Sequence, residues 1–231
     1  MKIKIYLLPG TMCNENIWIK LSPFFDDRYE LIHVPIPQND NFDAIADSLN
    51  DYFKKEKIYL LGFSLGGYIA SNFACKYPHK IKKLFIISSS LSILPIEEIE
   101  KRKKAITFVD KHGFKGLSRK KVISLLEELN QKDEVLIKLI QQMYIDLGKE
   151  TFKIQMSSTL YREDLLEKFL ELKFPVTFFY CDKDRLVNHE WLTSLSTISK
   201  NIKFVKKSSS SHMVPLEKPF ELSEVIKEWV K

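Results

Sequence analysis

The sequence predicts an α/β protein: a mostly parallel sheet of about six strands, with helices on both faces and a helical insertion. Three observations predict it. Short apolar runs such as Ile58-Tyr59-Leu60-Leu61 and Leu84-Phe85-Ile86-Ile87 alternate with stretches whose apolar residues recur at the helical period. The runs are apolar throughout rather than alternating, as in strands buried on both faces. Between Leu91 and Leu172 the alternation stops, and helical patterns follow one another without a convincing strand.

The elements follow in order. Lys2 to Leu8 reads as a buried strand, stopped by the turn signal Pro9-Gly10-Thr11. Trp18, Leu21 and Phe24 are spaced for a short helix, and Tyr29 to Pro35 reads as a second strand. Phe42, Ile45, Ala46, Leu49 and Phe53 predict a helix that Asn41 can cap, with Asp43 near its positive end. A strand to Leu61, a helix to about Tyr77 and a strand from Lys83 to Ser89 come next. In the insertion, Val122, Leu125, Leu126 and Leu129 form one stripe, and Leu136, Ile140, Met143 and Leu147 a second. Leu165, Leu166, Phe169 and Leu170 suggest a third. The sheet resumes from Pro175 to Tyr180, then come a helix from Trp191 to Ile198, a strand from Ile202 to Val205, and a last helix with Leu222, Val225, Ile226 and Trp229. An insertion between a strand end and the next strand would sit above the sheet's carboxyl edge, where ligands bind in such folds. Residues 91–173 are therefore expected to cap a core formed by 1–90 and 174–231.

Composition narrows the class. The chain has 231 residues, 45% of them hydrophobic and 12% aromatic, enough for a substantial core in one ordinary domain and against disorder. Cys13, Cys75 and Cys181 are too few and too scattered for a disulfide framework or a zinc site. No metal or cofactor is expected. The opening apolar run is too short for a signal peptide, and no segment approaches membrane-spanning length, so a cytoplasmic protein is expected. The net charge of +6 is unevenly placed: nine bases against one acid lie between Lys101 and Lys121. That charge alone would allow nucleic-acid binding, but no binding motif accompanies it; a solvated face and an acidic partner are the two readings.

The chemistry begins at Gly62-Phe63-Ser64-Leu65-Gly66, a G-x-S-x-G run between a predicted strand and a predicted helix. In that setting the turn holds its serine in a strained conformation at the sheet's carboxyl end, beside the first amides of a helix. A serine hydroxyl needs a base to take its proton, and the base needs an acid to fix its tautomer. Ser64, then Asp182 or Asp184, then His212 occur in the chain order Ser, acid, His, each after a predicted strand. His33, His79, His112 and His189 read as structural or surface residues. The oxyanion donors should be backbone amides: Leu65, following the serine, and one in the loop after the first strand, Thr11 ahead of Met12.

Leu7-Leu8-Pro9-Gly10-Thr11 with Trp18, Gly62-Phe63-Ser64-Leu65-Gly66-Gly67, Cys181-Asp182-Lys183-Asp184 and His212-Met213-Val214-Pro215-Leu216-Glu217-Lys218-Pro219 together resemble the α/β-hydrolase superfamily. The resemblance covers the core and not the insertion. It implies Asp184 as the acid, by its residue spacing, and Trp18, Phe63 and Met213 as pocket residues. Pro9-Gly10 stands where many members have His-Gly, and Cys181 where many have glycine. Length and insertion look most like small carboxylesterases, including the pimeloyl-acyl-carrier-protein methyl ester esterases of biotin synthesis. That subgroup implies an acidic carrier protein as partner, met by Lys103, Lys104, Arg119, Lys120 and Lys121. The expected function is serine carboxylic-ester hydrolysis; a thioesterase or menaquinone-type lyase on the same triad, and a binding protein of the same fold, are the alternatives.

Overall fold

Why the sheet has a helical layer on each face is visible in Leu84-Phe85-Ile86-Ile87. Successive strand residues leave opposite faces, and all four are fully buried. Leu84 and Ile86 enter one core and Phe85 and Ile87 the other. A computed structural model describes residues 2–54, 57–199 and 202–231; Met1, the first residue of the expected core, lies outside them.

The strands are β1 (Ile3–Leu8), β2 (Tyr29–His33), β3 (Ile58–Phe63), β4 (Ile81–Ile87), β5 (Val176–Cys181) and β6 (Ile202–Lys207). They form one sheet, parallel throughout, in the order β2-β1-β3-β4-β5-β6. The expected α/β class with about six strands is what the molecule has. Helices α1 (Phe42–Tyr52), α2 (Leu65–Lys76) and α7 (His189–Ile198) pack into one core, and α8 (Val214–Glu217) and α9 (Pro219–Trp229) into the other. Strand order reverses at β1, whose two neighbours are β2 and β3, so the loops after β1 and β3 flank the crevice where ligands bind in open α/β sheets.

Between β4 and β5 lie α3 (Ile96–His112), α4 (Arg119–Ile123), α5 (Glu134–Thr159) and α6 (Leu166–Leu170). This insertion touches loops at the carboxyl ends of strands. Met12 and Asn14 after β1 bond to Gln155 and Asp146 of α5, Arg162 donates to Ser90 O after β4, and His212 N–H after β6 donates to Leu125 O at 3.0 Å. Among the described residues, no helix is long and apolar enough to cross a membrane.

Three local expectations need correction. Trp18, Leu21 and Phe24 do not share a helix: two 3₁₀ turns, Glu15–Trp18 and Ser22–Phe24, replace it, with Pro23 in the second. Leu129 does not continue the first stripe; the helix ends at Ile123, and Leu129 is 88% exposed while Val122, Leu125 and Leu126 are buried. Leu170, likewise, is exposed although Phe169 is buried.

Helix α5 is broken at Gly148, with φ 73° and ψ −175°. A Cβ there would meet nothing within 4 Å, so the glycine is required by backbone angle and not by space. Gly148→Ala should cost about 1–3 kcal/mol, seen as a melting temperature lower by several degrees. An unchanged melting temperature would mean that the break does not depend on glycine.

Candidate active site

The first link is the bend at Ser64, which sits at φ 52°, ψ −115° between β3 and α2. Such angles cost a non-glycine residue about 1–3 kcal/mol and persist only where the surroundings over-determine them. Here they do. Ser64 N–H donates to Ile87 O at 2.8 Å, and Ser64 O accepts from Gly67 N–H at 2.9 Å. The flanking glycines are dictated by contact: a Cβ on Gly62 would lie 2.2 Å from Gly66 O, and one on Gly66 would lie 2.4 Å from Leu8 O and Pro9 O. Strand, helix and the loop after β1 thus meet around the serine with no room for a methyl group.

His212 and Asp184 arrive on the loops after β6 and β5. His212 Nε2 is 3.0 Å from Ser64 Oγ, and Nδ1 is 2.7 Å from Asp184 Oδ2. Asp184 is 1% exposed, and its second oxygen accepts from Leu186 N–H at 3.0 Å, which fixes the carboxylate plane. Asp182 goes elsewhere: its Oδ1 accepts from Ser209 N–H at 3.0 Å. The geometry therefore separates the two aspartates. A hydroxyl, an imidazole and a carboxylate in this chain of contacts can pass a proton from the serine to Nε2 while the carboxylate stabilises the charged ring.

Leu65 follows the serine and opens α2, so its N–H is among the amides a helix leaves without an internal partner. The loop carrying Thr11 runs against the site, since a Cβ on Gly10 would lie 3.2 Å from Ser64 Cβ. Met12 N–H, the second choice for a donor, is occupied by Gln155 Oε1 at 2.8 Å. Phe63 and Met213 are buried beside the triad, with the Phe63 ring centroid 5.5 Å from that of His212. Trp18 is buried edge-on to Phe63, and its indole N–H donates to His33 Nδ1. Burial pushes the Cys13 thiol up to about 12 and the Cys181 thiol to about 11, so neither supplies a thiolate at neutral pH.

The five expected partner residues are all exposed on α3 and α4. Lys103 pairs with Glu100 at 3.0 Å and Arg119 with Glu134 at 2.5 Å. Lys104, Lys120 and Lys121 have no ion pair among the described residues.

Three residues support the site; the sequence reading gave His189 a structural or surface place, named Glu217 without a role, and did not single out Gln155. His189 Nε2 bonds to Asp184 O at 2.8 Å; its place five residues beyond the aspartate, at a helix start, was the available signal. Glu217 braces the histidine loop, accepting from Ser211 Oγ, from Asn130 Nδ2 at 2.9 Å and from Glu127 N–H at 2.9 Å. Burial raises its carboxyl above the usual range. Gln155 is the third, and nothing local marks it.

A family model described as alpha/beta hydrolase fold matches residues 27–219. A curated relative, the pimeloyl-[acyl-carrier protein] methyl ester esterase of Wigglesworthia glossinidia brevipalpis, is 25% identical over 99% of this chain and 94% of its own. Among solved structures, a thermophilic esterase from Thermogutta terrifontis superposes with a TM-score of 0.85 at 22% identity, covering 100% of this chain and 90% of that one. The enol-lactonase from Burkholderia xenovorans LB400 gives 0.84 at 14%, covering 100% and 92%. At these identities the structural likeness concerns the fold.

Proposed function

This chain belongs to the alpha/beta hydrolase family, and on that premise we propose that it hydrolyses carboxylic esters through an acyl-enzyme on Ser64. The observation that carries the reading is the contact chain Ser64 Oγ–His212 Nε2, His212 Nδ1–Asp184 Oδ2. Ser64 Oγ attacks the ester carbonyl while Nε2 takes its proton. The oxyanion is held by the amides of Leu65 and Thr11. Collapse breaks the bond to the alcohol, which leaves with the proton from His212. Water, deprotonated by the same nitrogen, then releases the acid and restores the serine. The triad members are Ser64, His212 and Asp184; Trp18, Phe63 and Met213 wall the acyl side, and residues 91–173 act as the cap.

The finer reading is a methyl ester on an acyl carrier protein, as in biotin synthesis, handled in the cytoplasm. The name of the Wigglesworthia relative supports it, as does the exposed basic run of α3 and α4, since carriers of this kind are acidic. Free Cys13, Cys75 and Cys181 suit a reducing compartment. A panel of p-nitrophenyl esters against acyl thioesters tests the bond cleaved: faster turnover of thioesters would replace the ester reading with a thioesterase.

The partner has its own test. Reversing Lys103, Lys104, Arg119, Lys120 and Lys121 to glutamate should lower kcat/KM for a carrier-bound methyl ester about tenfold or more, and leave a short neutral ester nearly unchanged. A triple reversal at Lys104, Lys120 and Lys121 avoids breaking the two ion pairs. Added salt should weaken the parent enzyme more than the variant on the carrier-bound ester. No loss on that substrate would leave the basic run a solvated face, and equal losses on both would indicate damaged helix packing.

A further inference from the structure

One bond between the insertion and the sheet's loops ends on a strained residue, Met12, in the loop whose Gly10 runs against the serine. Gly10 to Cys13 form a turn closed by Cys13 N–H donating to Gly10 O at 3.1 Å, and Met12 takes its third position at φ 54°. Positive φ at that position marks a type II turn, where glycine or asparagine is usual. Methionine stays there only if its surroundings hold it. Its side chain is fully buried, and its N–H donates to Gln155 Oε1 at 2.8 Å. The other end of the same peptide, Thr11 O, faces Cys13 Sγ at 3.5 Å. Relaxation of a type II turn to type I rotates this central peptide, so the bond to Gln155 fixes which way the Thr11–Met12 peptide faces.

Gln155 is 4% exposed and lies on the arm of α5 beyond Gly148. The arm before Gly148 reaches the same loop by a longer contact, Asn14 Nδ2 to Asp146 Oδ2 at 3.4 Å. The loop after β1 is thus tied to both sides of the break, and the short buried tie is the one on the strained peptide.

We propose that Gln155 is a positioning residue of the oxyanion loop. Its side-chain carbonyl holds Met12 N–H and so the turn whose second residue is Thr11; with the turn pinned, the preceding Gly10–Thr11 peptide, which carries Thr11 N–H, keeps its place against the reacting carbonyl, and the loop is competent only when the second arm of α5 is seated. This rests on the reading of Ser64 as nucleophile and of Thr11 as an oxyanion donor. Without an acceptor at position 155, Met12 N–H is buried and unpaired, a state that favours rotation of the peptide.

Gln155→Met keeps length and volume and removes the acceptor. The full chain is assayed for kcat and KM on a p-nitrophenyl ester and for inhibition by an alkyl boronic acid. The boronic acid forms a bond from boron to Ser64 Oγ, the serine proton passes to His212, and the tetrahedral boron carries the negative charge and an oxygen in the oxyanion position. Gln155→Met should lower kcat and weaken the boronic acid by similar factors, about tenfold to a hundredfold, with KM within about twofold. A folded variant with kcat and boronic-acid affinity intact overturns the proposal. So does a KM that rises as much as the boronic acid weakens, which is the signature of general repacking. In the unmodified chain, amide exchange at Met12 should be slow; fast exchange there beside a protected Cys13 amide overturns it without any mutation. Turnover retained by Ser64→Ala would remove the premise instead, whereas an inert Ser64→Ala beside a fully active Gln155→Met removes only this proposal.

Discussion

Ser64→Ala should lower ester hydrolysis by on the order of a thousandfold or more, with the melting temperature nearly unchanged. The effect is large because the triad members act as a unit: without Oγ, His212 Nε2 has no proton to take and the acyl group nothing to bond to. The fold should tolerate the change. The strained backbone at Ser64 is held by its N–H on Ile87 O and its C=O on Gly67 N–H, and neither bond involves the side chain. His212→Ala should match it. Two results would sink the mechanism: turnover retained by a folded Ser64→Ala, or labelling by a fluorophosphonate at any other residue.

Asp184→Asn should cost on the order of a thousandfold in kcat, while Asp182→Asn should change it by no more than about threefold. Asp184 sits in a 1% exposed position with one oxygen on Leu186 N–H and the other on His212 Nδ1–H. An amide there can turn its NH₂ to the imidazole, forcing the proton onto Nε2, the nitrogen that must accept from the serine. Asp182 only accepts from Ser209 N–H, and an asparagine oxygen can do the same. The opposite ranking in steady-state kinetics would reassign the acid.

What could be read in advance depended on how local each cause was. The bend at Ser64 was legible because its contacts force glycine at 62 and 66, only two residues away on either side. Asp184 and Asp182 lie at the same strand end, so residue pattern alone left both open, and only the turn after β5 separates their side chains. Helix α3 gave no apolar stripe because, within Ile96–His112, only Val109 is buried; charged pairs such as Glu98 with Arg102, one turn apart, support it instead. Leu129 misled because spacing survives in the sequence after the helix has stopped. The bond from Met12 to Gln155 spans 143 residues and leaves no periodic trace at all.

The backbone N–H of His212 donates to Leu125 O, a carbonyl outside the sheet and its own connections. In this molecule the insertion therefore carries a support of the histidine loop. A transplanted insertion that did not return one carbonyl over the histidine loop would leave the His212 amide buried and unpaired. Exchange is therefore constrained to pieces that keep that single backbone oxygen in place, whatever side chains they carry.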